Sequence, residues 1–460
     1  MSSTEYPAEM VYLLEHLSGF STNTFKIQNS TGNTAYANNV LQFQLSTSTI
    51  VNMKSIRLMF NATIGSSANV GARLPNSTSA FVERYSLEAG GLSIAGGCAN
   101  YNILEAGMRG IEDRDDDEIL SHPEMVREKS YVSNATLAVL ANETYDSAGG
   151  ACPFCISKWL GVLDTITPSL ISTDLLPAMT LTIYLASDNI LSKCASNTLA
   201  LFTSNTGVPD LGSPSYRLDN VHLLVECCNM DDGVYSSMIE NSMAIKENGL
   251  EIGFQQHLSF QENAGGSVKF NVASNSLDGL LAVHREADFG TVSQPRLVEG
   301  FKIADGVNVA GKASFDSGGT GCYQNSVEKY VPVYFKFKEP TPVGGNKVSF
   351  NWTLNSSLIP QFPANSEQMI SITNNSLSKP RRNVPLWTRK NSYYSNYIRL
   401  NLPSKQDGEV RQQSGINCRG VNLQGYYNIY NQLGTQTVNV FATVGSTLLV
   451  SAGKQINVIM

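Results

Sequence analysis

Apolar and polar residues alternate with a period of two along much of this chain. Leu41, Phe43 and Leu45 are separated by Gln42 and Gln44, and Ile56, Leu58, Phe60 and Ala62 by Arg57, Met59 and Asn61. Met179, Leu181, Ile183 and Leu185 alternate with Thr180, Thr182 and Tyr184. The second half repeats the pattern at Val268, Phe270 and Val272, at Val331, Val333, Phe335 and Phe337, at Val348, Phe350, Trp352 and Leu354, and at Ile398, Leu400 and Leu402. Successive side chains of a strand point to opposite faces, so each run predicts a strand with one face on a core. The last 24 residues predict two more strands, around Gly445 or Gly453. Short strands with Gly-, Ser- and Asn-rich turns between them, and no parallel βαβ units, predict an all-β fold of sandwiches or barrels.

Helical periodicity is sparse. Met10, Leu13, Leu14 and Leu17 share a face, so residues 7–17 predict an amphipathic helix opened by Pro7 and stopped by Gly19. Two more helices are predicted over residues 100–108 and 113–126. The middle of the chain, from Tyr216 to Phe260, reads as a strand, a turn at Asp231-Asp232-Gly233, a short helix, a stop at Asn248-Gly249 and a new strand. Stretches of similar length and character flank it, which makes it a hinge between two β domains. The predicted organisation is an N-terminal helical segment over residues 1–20, a first domain over 21–232, a linker helix over 233–249 and a second domain over 250–460. Long polar segments at 188–214 and 306–324 are expected to form an exposed crown.

Composition sharpens this picture. With 460 residues, 42% of them hydrophobic, the chain has material for two or three cores. Charged residues make up only 15%, against roughly 25% in an average soluble protein. Ser, Thr, Asn and Gly replace them, a surface suited to extensive side-by-side packing. A net charge of −7 argues against general affinity for nucleic acid. The opening MSSTEYPAEMVYLLEHL lacks the basic region of a signal peptide, and no apolar run approaches the roughly 20 residues of a membrane span. Eight scattered cysteines do not make a disulfide framework, so reduced thiols inside a cell are expected. Eight Asn-x-Ser/Thr sites, among them Asn61, Asn134 and Asn351, are then by-products of an Asn- and Ser-rich composition.

Each fragment that imitates a chemical motif lacks an essential part. Gly306 to Lys312 has the spacing of a phosphate-binding loop, but Ala313 stands where Ser or Thr would hold magnesium and no helix pattern follows. Asp113, Asp115, Asp117 and Glu124 match calcium-loop spacing, with Glu118 in place of the obligatory Gly; they read as a solvated acidic helix start or a loose surface calcium site. Cys152 and Cys155 form the one C-x-x-C. No second pair completes a zinc site, and the following ISKWLGVL reads as a strand instead of the helix a redox motif needs, so idle or buried thiols are expected. His16, His122, His222, His257 and His284 are isolated in sequence. The basic cluster Lys379, Arg381, Arg382, Arg389 and Lys390 beside Trp387 is open to three readings: an import signal, a contact for an acidic partner or a solvated loop. No catalytic, cofactor-binding or metal-binding residue is therefore expected.

Four stretches carry a resemblance to a known family. SAFVERYSLEAGGLSIAGGCANYNIL is similar to a strand, Gly-Gly turn and helix early in the first barrel of the double jelly-roll major capsid proteins. KWLGVLDTITPSLISTDLLPAMTLTIYLAS resembles that barrel's later strands around a proline-marked loop, leading towards the seam at YRLDNVHLLVECC. NSLDGLLAVHREAD resembles a segment of the second barrel, and SAGKQINVIM its closing strand. The family serves adenoviruses, tailless membrane-containing phages, virophages and Polinton-like viruses. This chain is on the short side for its eukaryotic members, which implies small crown loops.

The resemblance implies two consecutive eight-stranded antiparallel jelly-roll sandwiches with short inserted helices. It implies a structural protein without enzymatic activity, a homotrimer whose pseudo-hexagonal capsomers tile the icosahedral virion shell of a DNA virus. Large interfaces, roughly 2,000 Å² or more, would hold the copies together. The implied partners are copies of itself, neighbouring capsomers, minor capsid or penton proteins and, through the N-terminal helix, an internal membrane; assembly would take place in the host cytoplasm or nucleus. Two other classes remain open from the residues. A carbohydrate-binding or adhesin sandwich would use aromatic loops such as Tyr393-Tyr394 and Tyr426-Tyr427, and a β-rich glycosidase would need paired carboxylates.

Overall fold

The computed structural model describes residues 21–47, 49–65, 70–73, 75, 78–111, 131–132, 152–195, 215–229, 250–286, 337, 339–377, 395–401, 415–419, 423–451 and 454–460. The expected helices over 7–17, 113–126 and 233–249, the run at 331–335, the phosphate-loop and calcium-loop imitations, and the basic cluster lie outside these residues.

The first half contains β1 (Ser21–Gln28), β2 (Thr34–Tyr36), β3 (Val40–Gln44), β4 (Ile50–Asn52), β5 (Arg57–Gly65), β6 (Val70–Arg73), β7 (Val82–Ala89) and β8 (Leu92–Ala95). Helix α1 (Tyr101–Ile111) follows, then β9 (Tyr131–Val132), β10 (Cys152–Ile156), the short helix α2 (Val162–Thr165), β11 (Leu170–Ser172), β12 (Met179–Leu185), β13 (Ser192–Ala195) and β14 (Ser215–Asn229). The second half contains β15 (Leu250–Ala264), β16 (Ser267–Val272), β17 (Ser276–Arg285), β18 (Ser349–Leu354) and β19 (Ser357–Asn365). Helix α3 (Ser366–Ser376) leads to β20 (Ser395–Arg399), β21 (Leu423–Tyr430), β22 (Gln436–Ser451) and β23 (Gln455–Ile459).

Every named pairing is antiparallel, and the same order occurs twice. In the second half β15-β22-β17-β20 form one sheet, with β23 alongside β22, and β16-β21-β18-β19 form the other. Numbered within that half from β15 to β22, these orders are 1-8-3-6 and 2-7-4-5. In the first half β1 pairs β14, β14 pairs β5 and β5 pairs β10, while β3-β12-β7-β8 form the facing sheet. Taking β4 and β5 as one bent strand and β1 and β2 as another, this is the same 1-8-3-6 and 2-7-4-5. Each half places its longer helix between strands five and six, α1 after β8 and α3 after β19.

Alternation explains the cores. Leu41 and Phe43 on β3, Leu58, Phe60 and Ala62 on β5, and Leu181, Ile183 and Leu185 on β12 turn into the first sandwich. Val268, Phe270, Val272, Phe350, Trp352 and Leu354 fill the second, where Trp352 and Tyr427 meet at 4.5 Å between ring centroids. The two sandwiches are joined by a shared core: the cluster centred on the first also takes in Ile252, Phe254, Leu281, Val283, Phe441, Leu448 and Val450. β17 is accordingly buried on both faces, with Leu280 and Ala282 inward and Leu281 and Val283 outward.

One local expectation is corrected and another narrowed. Residues 157–161 do not form a strand; the strand is β10 itself, which ends at Ile156, and Gly161 breaks the chain into α2 with φ at 87°. Of the two breaks expected among the last residues, the one at Gly453 holds, with β22 ending at Ser451 and β23 beginning at Gln455, whereas β22 continues through Gly445 beside the β17 irregularity at Leu277 to Gly279.

Candidate functional site: the packing faces of the two sandwiches

The chemistry-bearing residues stay apart. Among the described residues no group of three or more His, Cys, Asp or Glu side chains could hold a metal. Cys98, Cys155, Cys227, Cys228 and Cys418 are buried free thiols, and burial raises the Cys98 thiol. His222 lies on the outer side of β14 with Nδ1 2.7 Å from the Asn220 carbonyl. His284 is buried in the second core, with Nε2 2.8 Å from the Tyr427 hydroxyl, which also accepts from Asn396 Nδ2 at 2.5 Å. Burial lowers its pKa to about 3. The Asn351 side chain is buried too, accepting from Asn428 at 2.9 Å, so that glycosylation motif is closed in this fold. Tyr426-Tyr427, expected in a loop, lie on β21, with Tyr427 in the core. Tyr393-Tyr394 lie outside the described residues.

What the fold does build is a set of extended faces, beginning with the seam inside the chain. Helix α1 is buried along its length as far as Gly107, with Tyr101, Ile103, Leu104 and Ala106 all enclosed. It lies on the outer face of the β15-β22-β17-β20 sheet. At Gly107 a Cβ would come within 2.8 Å of Val283 Cγ2, so glycine permits the close approach of helix to sheet. Asn100 donates to Gln261 Oε1 at 3.4 Å at the helix start. Below it, Gln255 N–H donates to Thr165 Oγ1 at 2.8 Å, and Thr167 and Gly253 exchange backbone hydrogen bonds of 2.8 and 3.0 Å. The seam thus combines apolar burial with backbone pairing that fixes the relative height of the sandwiches.

Other polar residues at the seam find partners within their own half. Tyr85 donates to the Leu160 carbonyl at 2.5 Å, and the Tyr101 hydroxyl accepts from Leu160 N–H at 2.9 Å. His257 stands 3.1 Å from Thr443 Oγ1, and burial lowers its pKa to about 4. Asp278 accepts from Gln255 at 2.8 Å and Ser276 at 2.7 Å; burial is the main influence on its carboxyl and raises the pKa.

Register also shows where inserted segments leave the sandwiches. Gly65 and Ser215 pair at one end of the first sandwich, where the ends flanking 66–69 and 196–214 lie. Arg285 pairs with Thr437, and Ser395 with Val283, at the end of the second sandwich from which 287–336 and 378–394 depart. The Thr167–Gly253 bridge lies towards the opposite end, where β14 finishes and β15 begins. These insertions of the two sandwiches therefore start from the same side. The expected crown segments themselves lie largely outside the described residues.

No protein-family model matches the chain, and no curated protein sequence matches it. Its three-dimensional fold does have solved counterparts. The structure of VP54 from PBCV-1, fitted into a cryo-EM reconstruction of the virophage Sputnik, is similar with a TM-score of 0.55 at 13% identity, over 96% of this chain and 97% of that one. The Faustovirus major capsid protein is similar with a TM-score of 0.53 at 9% identity, over 98% of this chain and 92% of that one. These neighbours are double jelly-roll capsid proteins. The fold of this chain is a double jelly roll. The two strand orders, 1-8-3-6 and 2-7-4-5, are then the two sheets of each jelly roll, and α1 and α3 are inserts at equivalent positions.

Proposed function

We propose that this chain is a major capsid protein: a homotrimer whose six jelly rolls form pseudo-hexagonal capsomers in the icosahedral shell of a DNA virus. The observation that carries the reading is the duplicated strand order within one chain, together with similarity over nearly the full length of both chains to double jelly-roll capsid proteins. Rigid sandwiches set at a fixed height by a buried seam make a stiff tile, and a stiff tile loses little conformational freedom on assembly. The role is structural, so buried thiols and separated histidines fit it without any catalytic duty.

The division follows the same logic: residues 21–232 and 250–460 act as the two jelly rolls, 233–249 joins them, and 1–20 reaches towards minor capsid or penton proteins or an internal membrane. Copies of the chain are the main partner, nucleic acid is not bound specifically, and the protein resides in the virion after assembly in the host cytoplasm or nucleus. Negative-stain imaging of the purified protein tests this. Hexagonal outlines with threefold averages are expected. Isolated single sandwich pairs at high concentration, or a clear hit on a glycan array, would favour the carbohydrate-binding alternative.

A further inference from the structure

Two kinds of contact close the seam between the jelly rolls. Under α1 it is apolar, with Gly107 against Val283 and with Leu281 and Phe441 in the shared core. Towards the end where β14 finishes and β15 begins it is polar. There Gln255 N–H donates to Thr165 Oγ1 of α2, and Thr167 and Gly253 exchange backbone hydrogen bonds. His257 comes next on the same face of β15, two residues beyond Gln255. Its Nδ1 stands 3.1 Å from Thr443 Oγ1 on the paired strand β22. A Cβ placed on Gly161, the residue that opens α2, would lie 3.6 Å from His257 Cδ2 and 2.9 Å from the Tyr85 hydroxyl. The imidazole is thus wedged between a strand of the second jelly roll and the helix-opening turn of the first. Glycine at 161, with its positive φ, is what lets that turn come so close.

The titratable groups around this imidazole come from both halves. On the first side are Tyr85, whose hydroxyl donates to the Leu160 carbonyl, and Cys98 and Asp164, which act on that hydroxyl electrostatically. On the second side is Asp278, held by Gln255 and Ser276, with Arg399 acting on its carboxyl. Among the described residues none of them forms an ion pair with His257. A proton on His257 therefore brings an uncompensated charge into a closed interface, and enclosing such a charge is costly unless water reaches it. We propose that His257 makes the polar end of the seam a proton-operated latch: when the imidazole is protonated, α2 parts from β15 and water enters between the jelly rolls, while the apolar end under α1 stays closed. The latch is a property of the single chain. In a shell of such chains it supplies a point that yields to acid while the apolar seam holds.

Hydrogen exchange of the full-length chain at pH 7.5 and pH 5, corrected for the effect of pH on the intrinsic rate, tests this. Three amides report on the latch directly, those of Gly253, Gln255 and Thr167, because each donates across the polar end of the seam. His257 titrates at about 4 in the closed seam and at 6.5 once released, so opening should become about thirty-fold more frequent at pH 5. Protection of the three amides should fall by that factor. The amides of Val283 and Phe441, beside the apolar end, should keep theirs. In His257→Gln the fall at the three amides should disappear, with circular dichroism verifying that the variant folds. Should it not fold, the wild-type profile decides alone. Equal protection at the two pH values would overturn the proposal, and so would a fall spread evenly over both ends of the seam. A fall that persists in folded His257→Gln would place the proton elsewhere, on Asp278 first, and overturn it as well.

Discussion

Leu224 and Phe441 both lie on the outer side of strand eight in two sandwiches of one topology. Leu224 is half-open between Lys26 and Arg57, whereas Phe441 is sealed between Ser259 and Leu281 in the core it shares with the first sandwich. Fold does not set the burial of an outer sheet face; the neighbour laid across it does. Composition follows the neighbour: apolar side chains and a glycine-permitted approach at the internal seam, charges on the β1-β14-β5 face that no described element crosses.

The largest expected effect that sharpens this contrast is on stability. Phe441→Ala should cost about 3–5 kcal/mol, the range for emptying a buried aromatic site, while Leu224→Ala in the monomer should cost below about 1 kcal/mol. Urea denaturation of the two variants checks this, and equal losses would break the comparison. At the helices, Gly107→Ala should destabilise by about 1–3 kcal/mol through overpacking against Val283, despite the better helix propensity of alanine. Ser371→Ala on exposed α3 should gain a few tenths of a kcal/mol at most, read by the shift in melting temperature.

Acid should destabilise the fold through its buried histidines. His257 and His284 have folded pKa values of about 4 and about 3, below the ordinary 6.5, so the unfolded chain takes up protons first. Their contribution is complete above pH 6.5 and is lost as pH falls from there towards 4 and 3. The raised Asp278 carboxyl works in the opposite direction, since the folded state protonates it earlier. Denaturation midpoints at pH 7 and pH 4.5 should therefore differ less in His257→Gln than in the wild type.

Most of the strands were legible from alternation because one side of each meets a core. β3, β5, β12, β16 and β18 all fall on the expected runs, and α1 covers the expected helix at 100–108. β1 carried no such signal: STNTFKIQ is exposed on both faces, so nothing forced its residues to alternate. α3 escaped for a related reason, with two buried residues in eleven and a start marked mainly by its capping box. There Asn365 accepts from Gln368 N–H at 2.9 Å and Gln368 Oε1 accepts from Asn365 N–H at 3.0 Å. The seam was invisible for a different reason. Pairing of Thr167 with Gly253 and packing of Gly107 on Val283 are contacts across the hinge, and no local pattern encodes them.

Sedimentation velocity of the purified full-length chain over a wide concentration range tests the account most directly. The proposed homotrimer predicts a boundary at three times 49.9 kDa. A single species at 49.9 kDa throughout would contradict it.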